Sequence, residues 1–343
     1  MTKRNLALIY GGDSAEVGIS ILSGRNVSRY IDRSKYNVYH VLLKGASWQV
    51  VEASGEATES NPEAGMTVLA QVDKNDFSFT FQGKKRKFDL AMIMIHGTPG
   101  ENGVLQGYLE MMGVPFTTSS SAVSASAFDK QICKVLLRDC GFKLAPDVCL
   151  RKGKGFSVKK IVEKLGLPLF VKPCSGGSSF GVSKVMKAEE LEDAVNLAFR
   201  HSDTVLVETY IRGREITQGA FMDGENIVAL PVTEIIPHNT FFDYDAKYNG
   251  LSDEICPADI APEKVEEISA ITRSIYDCLG CRGIVRVDYF LCDDGSIVFL
   301  ELNTVPGMTA MSLVPQQIRA AGLDMMQVIT GIADITRSFF FRI

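Results

Sequence analysis

The sequence predicts a multidomain protein that combines the α/β and α+β classes, with an N-terminal open, mostly parallel α/β domain. Strand and helix patterns alternate along residues 1–118, as in a mostly parallel sheet that carries helices on both faces. The 343 residues are too many for one hydrophobic core, so two or three domains are expected. The order of elements divides the chain into units at residues 1–118, 119–205 and 206–343.

The first unit begins with an apolar strand that stops at paired glycines, and the helix after it has Ser14 as a candidate cap. A polar, turn-rich stretch at residues 53–66 interrupts the pattern as a loop. The expected elements are strands Leu6–Tyr10, Tyr36–Leu43, Trp48–Glu52 and Leu90–Ile95, a hairpin of Phe77–Gln82 and Arg86–Asp89, and helices at residues 14–29 and 103–113.

The second and third units mix short strands with helices, and a glycine- and serine-rich loop separates two strands of the second unit. In the second unit we expect helices Ser124–Cys140, Val158–Leu165 and Ala188–Phe199 and strands Leu169–Pro173 and Val182–Met186. In the third we expect strands Val205–Thr209, Glu215–Met222 and Asn226–Ile235, helix Glu263–Leu279, a hairpin of Ile284–Leu291 and Ile297–Leu302, and helices near residues 313–321 and 325–339.

Composition argues against several classes of protein. The net charge of −5 disfavours nucleic acid or an anionic membrane as the main partner. No apolar run is long enough to span a bilayer, and Leu6–Tyr10 is too short for the core of a signal peptide. Among the eight cysteines, Cys278 and Cys281 have ligand-like spacing, but no second pair completes a zinc site. We therefore expect a cytoplasmic protein with free thiols.

The hairpin between Gly283 and Gly307 carries a cluster of polar side chains. With Asp294-Gly295 as a two-residue turn, Asp288 lies opposite Glu301 and Arg286 lies opposite Asn303. Residues two apart in a strand share a face, so these groups crowd together among apolar neighbours. An oxygen-loving cation such as Mg²⁺, with phosphates, would compensate such a cluster. A surface-facing polar stripe with cross-strand ion pairs is the alternative.

Two segments of the second unit suit a phosphate. Lys172 ends an apolar strand and directly precedes the loop Ser175–Gly181, whose glycines allow backbone N–H groups to approach an anion. A flexible hairpin without function is the alternative for this loop. Lys130, in the preceding helix, is by itself one charge among many.

Three further segments suit the remaining parts of a nucleotide and a substrate. The strand Val205–Ile211, followed by Glu215, suits an adenine edge and a ribose hydroxyl, unless it is a simple edge strand. The long loop His238–Pro257 lacks periodicity and resembles a lid. Glu16 follows the first strand and could bind an ammonium group beside His96, although a carboxylate that stabilises the helix dipole is the alternative.

Taken together, these residues resemble the ATP-grasp carboxylate–amine ligases, and within them the D-alanine–D-alanine ligase family. The resemblance covers about residues 6–332 and implies a two-part ATP-grasp fold after the N-terminal domain. It is carried by the segments GGDSAEVGIS, HGTPGENGVLQGYLE, SASAFDK, FVKPCSGGSSFGVS, FFDYDAKYNGLSDEICPA, GCRGIVRVDYFL and FLELNTVPGMTAMSLVP.

The resemblance implies a role for each candidate residue. ATP would be bound by Lys130, Lys172, Gly176, Gly177, Ser178, Ser179, Glu208, Ile211, Glu215 and Lys247; two Mg²⁺ or Mn²⁺ by Asp288, Glu301 and Asn303; and D-alanine by Glu16, His96, Ser178, Tyr248, Arg286, Gly307 and Ser312. Of these, Glu16, Ser178, Tyr248, Arg286 and Gly307 would take part in catalysis, with Arg286 and the Gly307 N–H as the oxyanion site.

The implied activity is ATP-dependent formation of D-alanyl-D-alanine through an acyl phosphate, as a step in peptidoglycan synthesis, by a homodimer. Two alternatives remain open at this stage. The first is an ATP-grasp ligase with a different second substrate, and the lid would decide between the two. The second is a nucleotide-binding regulator without activity, against which the complete set of candidate metal and phosphate residues argues.

Overall fold

The structure, a computed structural model, describes residues 2–177, 180–237 and 252–340; side chains are described through residue 336, apart from residue 237. Helices within these ranges are α1 (Val17–Ser28), α2 (Val104–Met111), α3 (Ser121–Phe128), α4 (Lys130–Asp139), α5 (Val158–Leu165), α6 (Leu191–Ala198), α7 (Pro262–Cys278), α8 (Leu313–Ala320) and α9 (Met325–Phe340), with a 3₁₀ turn at Ala188–Glu190.

The strands in the described ranges form three sheets, which confirms the mixed α/β and α+β class. They are β1 (Arg4–Gly11), β2 (Tyr36–Lys44), β3 (Ser47–Ala53), β4 (Met66–Asp73), β5 (Ser78–Phe81), β6 (Lys84–Lys87), β7 (Leu90–Ile93), β8 (Asp147–Arg151), β9 (Leu169–Pro173), β10 (Ser183–Val185), β11 (Thr204–Thr209), β12 (Arg214–Asp223), β13 (Asn226–Ala229), β14 (Thr233–Pro237), β15 (Ser252–Ile255), β16 (Ile284–Leu291) and β17 (Ile297–Asn303).

The N-terminal sheet has the order β6-β5-β4-β3-β2-β1-β7. The expectation of a mostly parallel sheet is wrong for its outer part: β1 is parallel to β2 and β7, whereas every pairing from β2 out to β6 is antiparallel. The physical reason is the short connections, since β2 and β3 are joined by two residues and such a turn permits an antiparallel pair alone. Helices do cover both faces, because Leu8 packs with α1 and Ile9 with α2.

The central sheet has the order β10-β9-β11-β8 and is antiparallel throughout. Because β11 pairs with both β9 and β8, a boundary at residue 205 would cut this strand, and we propose that the second unit ends after Thr209. The single helix expected over Ser124–Cys140 is two helices. Asp129 is extended, with ψ 108°, and its carboxylate caps α4 by accepting hydrogen bonds from the N–H groups of Gln131 and Ile132 at 2.9 and 3.0 Å.

The C-terminal sheet has the order β15-β14-β12-β16-β17, with β13 paired to β12. The single strand expected over Asn226–Ile235 is β13 and β14, because Pro231 lies between them and has no N–H for the ladder. Asp288 does lie opposite Glu301 and Arg286 opposite Asn303, so the expected register of the hairpin is confirmed.

The turn of this hairpin differs from the expected two-residue form. The Cys292 N–H donates to the Ser296 carbonyl at 2.9 Å, which leaves a three-residue loop whose Gly295 has φ +78°. The extra loop residue would shift the strand register by one position. A bulge between Asp288 and Tyr289, at which Leu300 is the unpaired residue of β17, restores the register.

One expectation about cysteines is wrong. Cys140 and Cys278, at the C-terminal ends of α4 and α7, form a disulfide, while the other six cysteines are free. The pairing could not be predicted, because the two cysteines are 138 residues apart in the chain and such spacing does not report spatial proximity. Among the helices in the described ranges, none has the length and apolar content needed to cross a membrane.

Candidate active site

A cavity of about 690 Å³ is lined by strands of the central and C-terminal sheets and by the loops that follow β1, β7, β9 and β17. Asp288 lies directly behind this lining and is 4% exposed. Four predicted site residues, Ser178, Ser179, Lys247 and Tyr248, lie outside the described residues. The remaining predicted site residues line the cavity together: Glu16, His96, Lys130, Lys172, Gly176, Gly177, Glu208, Ile211, Glu215, Arg286, Glu301, Asn303, Gly307 and Ser312.

A buried ion-pair cluster lies at one end of the cavity. The Glu208 carboxylate, from β11, accepts hydrogen bonds from Lys172 Nζ at 2.5 Å and from Lys134 Nζ. Lys134 Nζ also lies 2.8 Å from Asp147 Oδ2. Burial would lower the pKa of Lys172, but the Glu208 carboxylate outweighs this effect and the pKa is raised. Burial would likewise raise the pKa of Glu208, but the two lysines lower it. Lys172 and Glu208 are therefore both charged at neutral pH.

Lys130 lies between the glycine- and serine-rich loop and the hairpin β16–β17. It is the first residue of α4, and its Nζ lies 3.1 Å from the Gly176 carbonyl and 3.8 Å from Glu301 Oε2. Its backbone N–H donates to the Cys174 carbonyl at 2.9 Å. A Cβ atom at Gly177 would lie 2.9 Å from Glu16 Oε2, so the loop backbone approaches that carboxylate closely.

The hairpin β16–β17 forms the floor of the cavity. Both Asp288 oxygens accept from the Arg286 guanidinium at 2.8 Å, which is a bidentate pair. Thr217 Oγ1 also donates to Oδ1 at 2.5 Å, and Asn303 Nδ2 donates to Oδ2 at 3.2 Å. These contacts occupy the lone pairs of both oxygens. In the part of the chain that the structure describes, no group of three or more His, Cys, Asp or Glu side chains could hold a metal, so a metal here would need Asn303 as well.

His96 and Glu101 are buried beside the floor. Nδ1 of His96 lies 2.7 Å from the Val305 carbonyl and Nε2 lies 3.0 Å from Ser23 Oγ, so both ring nitrogens have protein partners. Burial lowers the pKa of His96. The Glu101 carboxylate accepts from the N–H groups of Gly97 at 3.0 Å and Val305 at 3.4 Å, and burial raises its pKa to about 7.

The opposite end of the cavity begins at the N-terminus of α8. Ser312 precedes this helix, and its Oγ accepts from the Thr309 N–H at 3.0 Å. A Cβ atom at Gly307 would lie 2.9 Å from Ser312 Oγ, so the two residues are in close contact. Gln316, one turn into α8, donates to Glu254 of β15 at 2.5 Å. This end therefore offers a hydroxyl, a helix N-terminus and a carboxylate–carboxamide pair.

Several residues of the site were missed from the sequence. Lys134 follows Lys130 by four residues and so shares its face of α4, which was a usable signal. Glu101 lies in the motif HGTPGENG but received no role. Ser23 and Thr217 give no local signal, because their partners are more than 70 residues away in the chain.

Two family models match the chain. The model described as D-ala D-ala ligase N-terminus matches residues 5–119, and the model described as D-ala D-ala ligase C-terminus matches residues 136–334. Among curated relatives, the D-alanine–D-alanine ligase of Phocaeicola vulgatus is 43% identical over 332 residues, covering 97% of this chain and 99% of that protein. The D-alanine–D-alanine ligase of Parabacteroides distasonis is 46% identical over 333 residues, covering 97% of each.

Solved structures give the same result. The VanG D-Ala:D-Ser ligase from Enterococcus faecalis superposes with a TM-score of 0.85 at 30% identity, covering 98% of this chain and 100% of that one. The D-alanine–D-alanine ligase from Coxiella burnetii gives 0.85 at 25% identity, covering 99% and 95%. These matches confirm the ATP-grasp fold that the sequence motifs imply. The chain belongs to the D-alanine–D-alanine ligase family.

Proposed function

We propose that the chain joins two D-alanine molecules into D-alanyl-D-alanine, with ATP converted to ADP and phosphate, as a step in peptidoglycan precursor synthesis. One observation carries this proposal. A single cavity joins lysines suited to phosphate, a carboxylate pair on the floor, and an end suited to an amino acid. A carboxylate is a poor electrophile at neutral pH, so an amide requires prior activation, which the γ-phosphoryl group of ATP supplies as an acyl phosphate.

The chain's own residues would hold ATP by charge and by backbone contacts. Lys172 would exchange Glu208 for a phosphate oxygen, since both lie at the buried end of the cavity. Lys130 would add a second positive charge beside Gly176 and Gly177. Such transfer needs positioning and charge neutralisation more than a covalent protein group. The adenine and ribose would lie along β11 and its exit, contacting Glu208, Ile211 and Glu215.

The residues Asp288, Glu301 and Asn303 fit a divalent cation. They offer an all-oxygen donor set on one hairpin face, which suits two Mg²⁺ or Mn²⁺ shared with phosphate oxygens. A rotation of the Asn303 amide would present its oxygen and release a lone pair on Asp288 Oδ2. When bound, the cations would neutralise charge on the transferring phosphoryl group.

The amino-acid end would orient the two D-alanine molecules. Glu16 would bind the ammonium group of the first, close to Gly177, with His96 alongside. Ser312 and the start of α8 would bind the carboxylate of the second, whose amine attacks the acyl phosphate. Arg286 and the Gly307 N–H would stabilise the tetrahedral oxyanion, where one donor typically contributes about 10²–10³ in rate.

Closure over this site would protect the acyl phosphate from water. We assign that role to the loop with Ser178 and Ser179 and to the lid with Lys247 and Tyr248, residues that lie outside the described ranges. We infer a cytoplasmic location, because the chemistry uses ATP, and a homodimer, because the family implies one. Size-exclusion chromatography with light scattering measures that state directly, and a monomer would contradict it.

Product identification tests the proposal. The protein is incubated with ATP, Mg²⁺ and D-alanine, and the products are separated and identified by mass. We expect D-alanyl-D-alanine and ADP in equal amounts. ADP without dipeptide would contradict D-alanine as the second substrate, and the absence of ADP would contradict the ligase assignment altogether.

A ligase with another second substrate is the second candidate, and the similarity to a D-Ala:D-Ser ligase favours considering it. The curated relatives at 43–46% identity favour D-alanine instead. Competition among equal concentrations of D-alanine, D-serine and D-lactate decides the acceptor.

We expect Tyr248→Phe to relax the preference toward D-lactate, and unchanged product ratios would contradict the lid's role in specificity.

A further inference from the structure

The segment Val305–Met308, which contains Gly307, is held by hydrogen bonds from the N-terminal domain. The Val305 carbonyl accepts from His96 at 2.7 Å, and the Met308 N–H donates to Ser23 Oγ at 3.0 Å. The Met308 carbonyl accepts from Asn26 Nδ2 at 2.8 Å. The backbone groups on both sides of Gly307 are thus fixed, while Gly307 itself lines the cavity.

The direction of these hydrogen bonds follows from their donors. Because the Val305 carbonyl can only accept, Nδ1 of His96 carries the ring hydrogen and donates it to that carbonyl. Nε2 of the neutral ring is then an acceptor, so the Ser23 hydroxyl donates to Nε2 and accepts from the Met308 N–H. The Val305 carbonyl therefore fixes the tautomer of His96, and Ser23 links the ring to the loop directly.

Burial makes this arrangement rigid. Ser23 is 0% exposed and His96 is 5% exposed, so water cannot easily replace a missing partner. Removal of the Ser23 hydroxyl would leave the Met308 N–H and His96 Nε2 both without a partner in the interior. The smallest structural adjustment would be a shift of the Val305–Met308 segment or of the His96 ring, and either shift would move Gly307.

We propose that Ser23, supported by Asn26, is a positioning residue that directs the Gly307 N–H toward the reacting carbonyl. The N-terminal domain would then set the geometry of the oxyanion site as well as bind the first amino acid. This inference rests on the proposed function, because it assigns the Gly307 N–H as an oxyanion donor. It leaves ATP binding to other residues, since the partners of the Ser23 hydroxyl among the described residues are His96 and Met308 and include no lysine.

Ser23→Ala tests the inference through the coupling of the two half-reactions. An oxyanion donor that is misplaced by about 1 Å costs on the order of 10- to 100-fold in rate. We expect kcat for dipeptide formation to fall by that factor while KM for ATP changes less than about twofold. We also expect more phosphate released per dipeptide, because the acyl phosphate still forms and is then lost to water. Ser23→Thr, which keeps the hydroxyl, is expected to restore part of kcat and the normal phosphate-to-dipeptide ratio.

Ser20→Ala is the matched control. Ser20 also lies on α1, is 0% exposed, and has a hydroxyl with two backbone partners, Gly11 and Met94, but it does not contact the 305–308 segment. Thermal unfolding of both variants compares their cost to stability. Equal kcat and equal product ratios for the two variants would overturn the inference. If wild-type protein makes no dipeptide, the proposed function fails instead, so the two failures are distinguishable.

Discussion

At the scale of single residues, the site is a set of charges that already have partners. Asp288 is paired with Arg286, and Glu208 with Lys172 and Lys134, so ligands must exchange with protein groups. Sequence reasoning could identify these residue types because carboxylates and lysines inside apolar strands are costly unless compensated. It could not find their protein partners, because Thr217 and Lys134 come from elements distant in the chain.

Glu301→Gln tests the metal assignment at the hairpin. The substitution preserves size but removes one of two carboxylates opposite each other, so we expect D-alanine-dependent phosphate release to fall by about 10²-fold or more. Asp294→Asn, in the exposed turn of the same hairpin, is the control and should retain activity. Retained turnover of Glu301→Gln with Mg²⁺ would contradict the assignment.

Lys134→Met tests whether this buried lysine shares Glu208 with Lys172. Without Lys134, Glu208 would hold Lys172 more tightly, so ATP would have to compete with a stronger ion pair. A hydrogen bond to a charged group contributes about 1.5–3 kcal/mol, so we expect KM for ATP to rise about tenfold or more. Arg138→Met, which removes a half-exposed partner of Asp147, is the control. A KM for ATP equal to that of the control would contradict this role.

At the scale of elements, the predicted helices and strands agreed with the observed ones where the local hydrophobic pattern was regular. The strand β4 was missed because most of its side chains are exposed and show little alternation. The register of the hairpin was correct although its turn was not, because the surplus residue in the loop and the bulge at Leu300 cancel. Helices α3 and α4 were merged because a side-chain cap inside an apolar run looks like an ordinary polar helix position.

Asp129→Ala tests the link between that cap and ATP binding. Loss of a helix cap typically costs about 1 kcal/mol of stability, and Lys130 is the first residue of the helix that Asp129 caps. We expect a lower Tm together with a raised KM for ATP. Ser157→Ala removes the cap of α5, which carries none of the cavity residues, and should lower Tm alone. An unchanged KM in Asp129→Ala would show that Lys130 is positioned by other contacts.

At the scale of the whole molecule, distant parts of the chain are joined at several points. Asp334 of α9 accepts from Arg4 at 3.1 Å, Tyr36 at 2.6 Å and Lys35 at 2.6 Å, which ties the last helix to the first two strands. The Cys140–Cys278 disulfide joins α4 to α7. Neither link was predicted, because sequence patterns report periodicity and do not report which distant residues meet.

Thiol labelling tests the disulfide. In protein purified without reductant and then denatured, we expect six cysteines to be alkylated, and eight after reduction. Peptide mapping should then assign the two protected positions to Cys140 and Cys278. Eight labelled thiols before reduction would contradict the disulfide. A Cys140→Ser variant serves as the control, since its remaining seven cysteines should all be labelled without reduction.

The bulge at Leu300 bears on how the family can vary in length during evolution. A relative that lacks the equivalent of Leu300 would still place its two carboxylates opposite each other, because the bulge accommodates a residue that the pairing does not use. No bulge lies between Glu301 and Asn303, so a deletion there would move one of these two side chains to the opposite face of the sheet. Gaps in an alignment of relatives should therefore be tolerated just before the second carboxylate and be absent just after it.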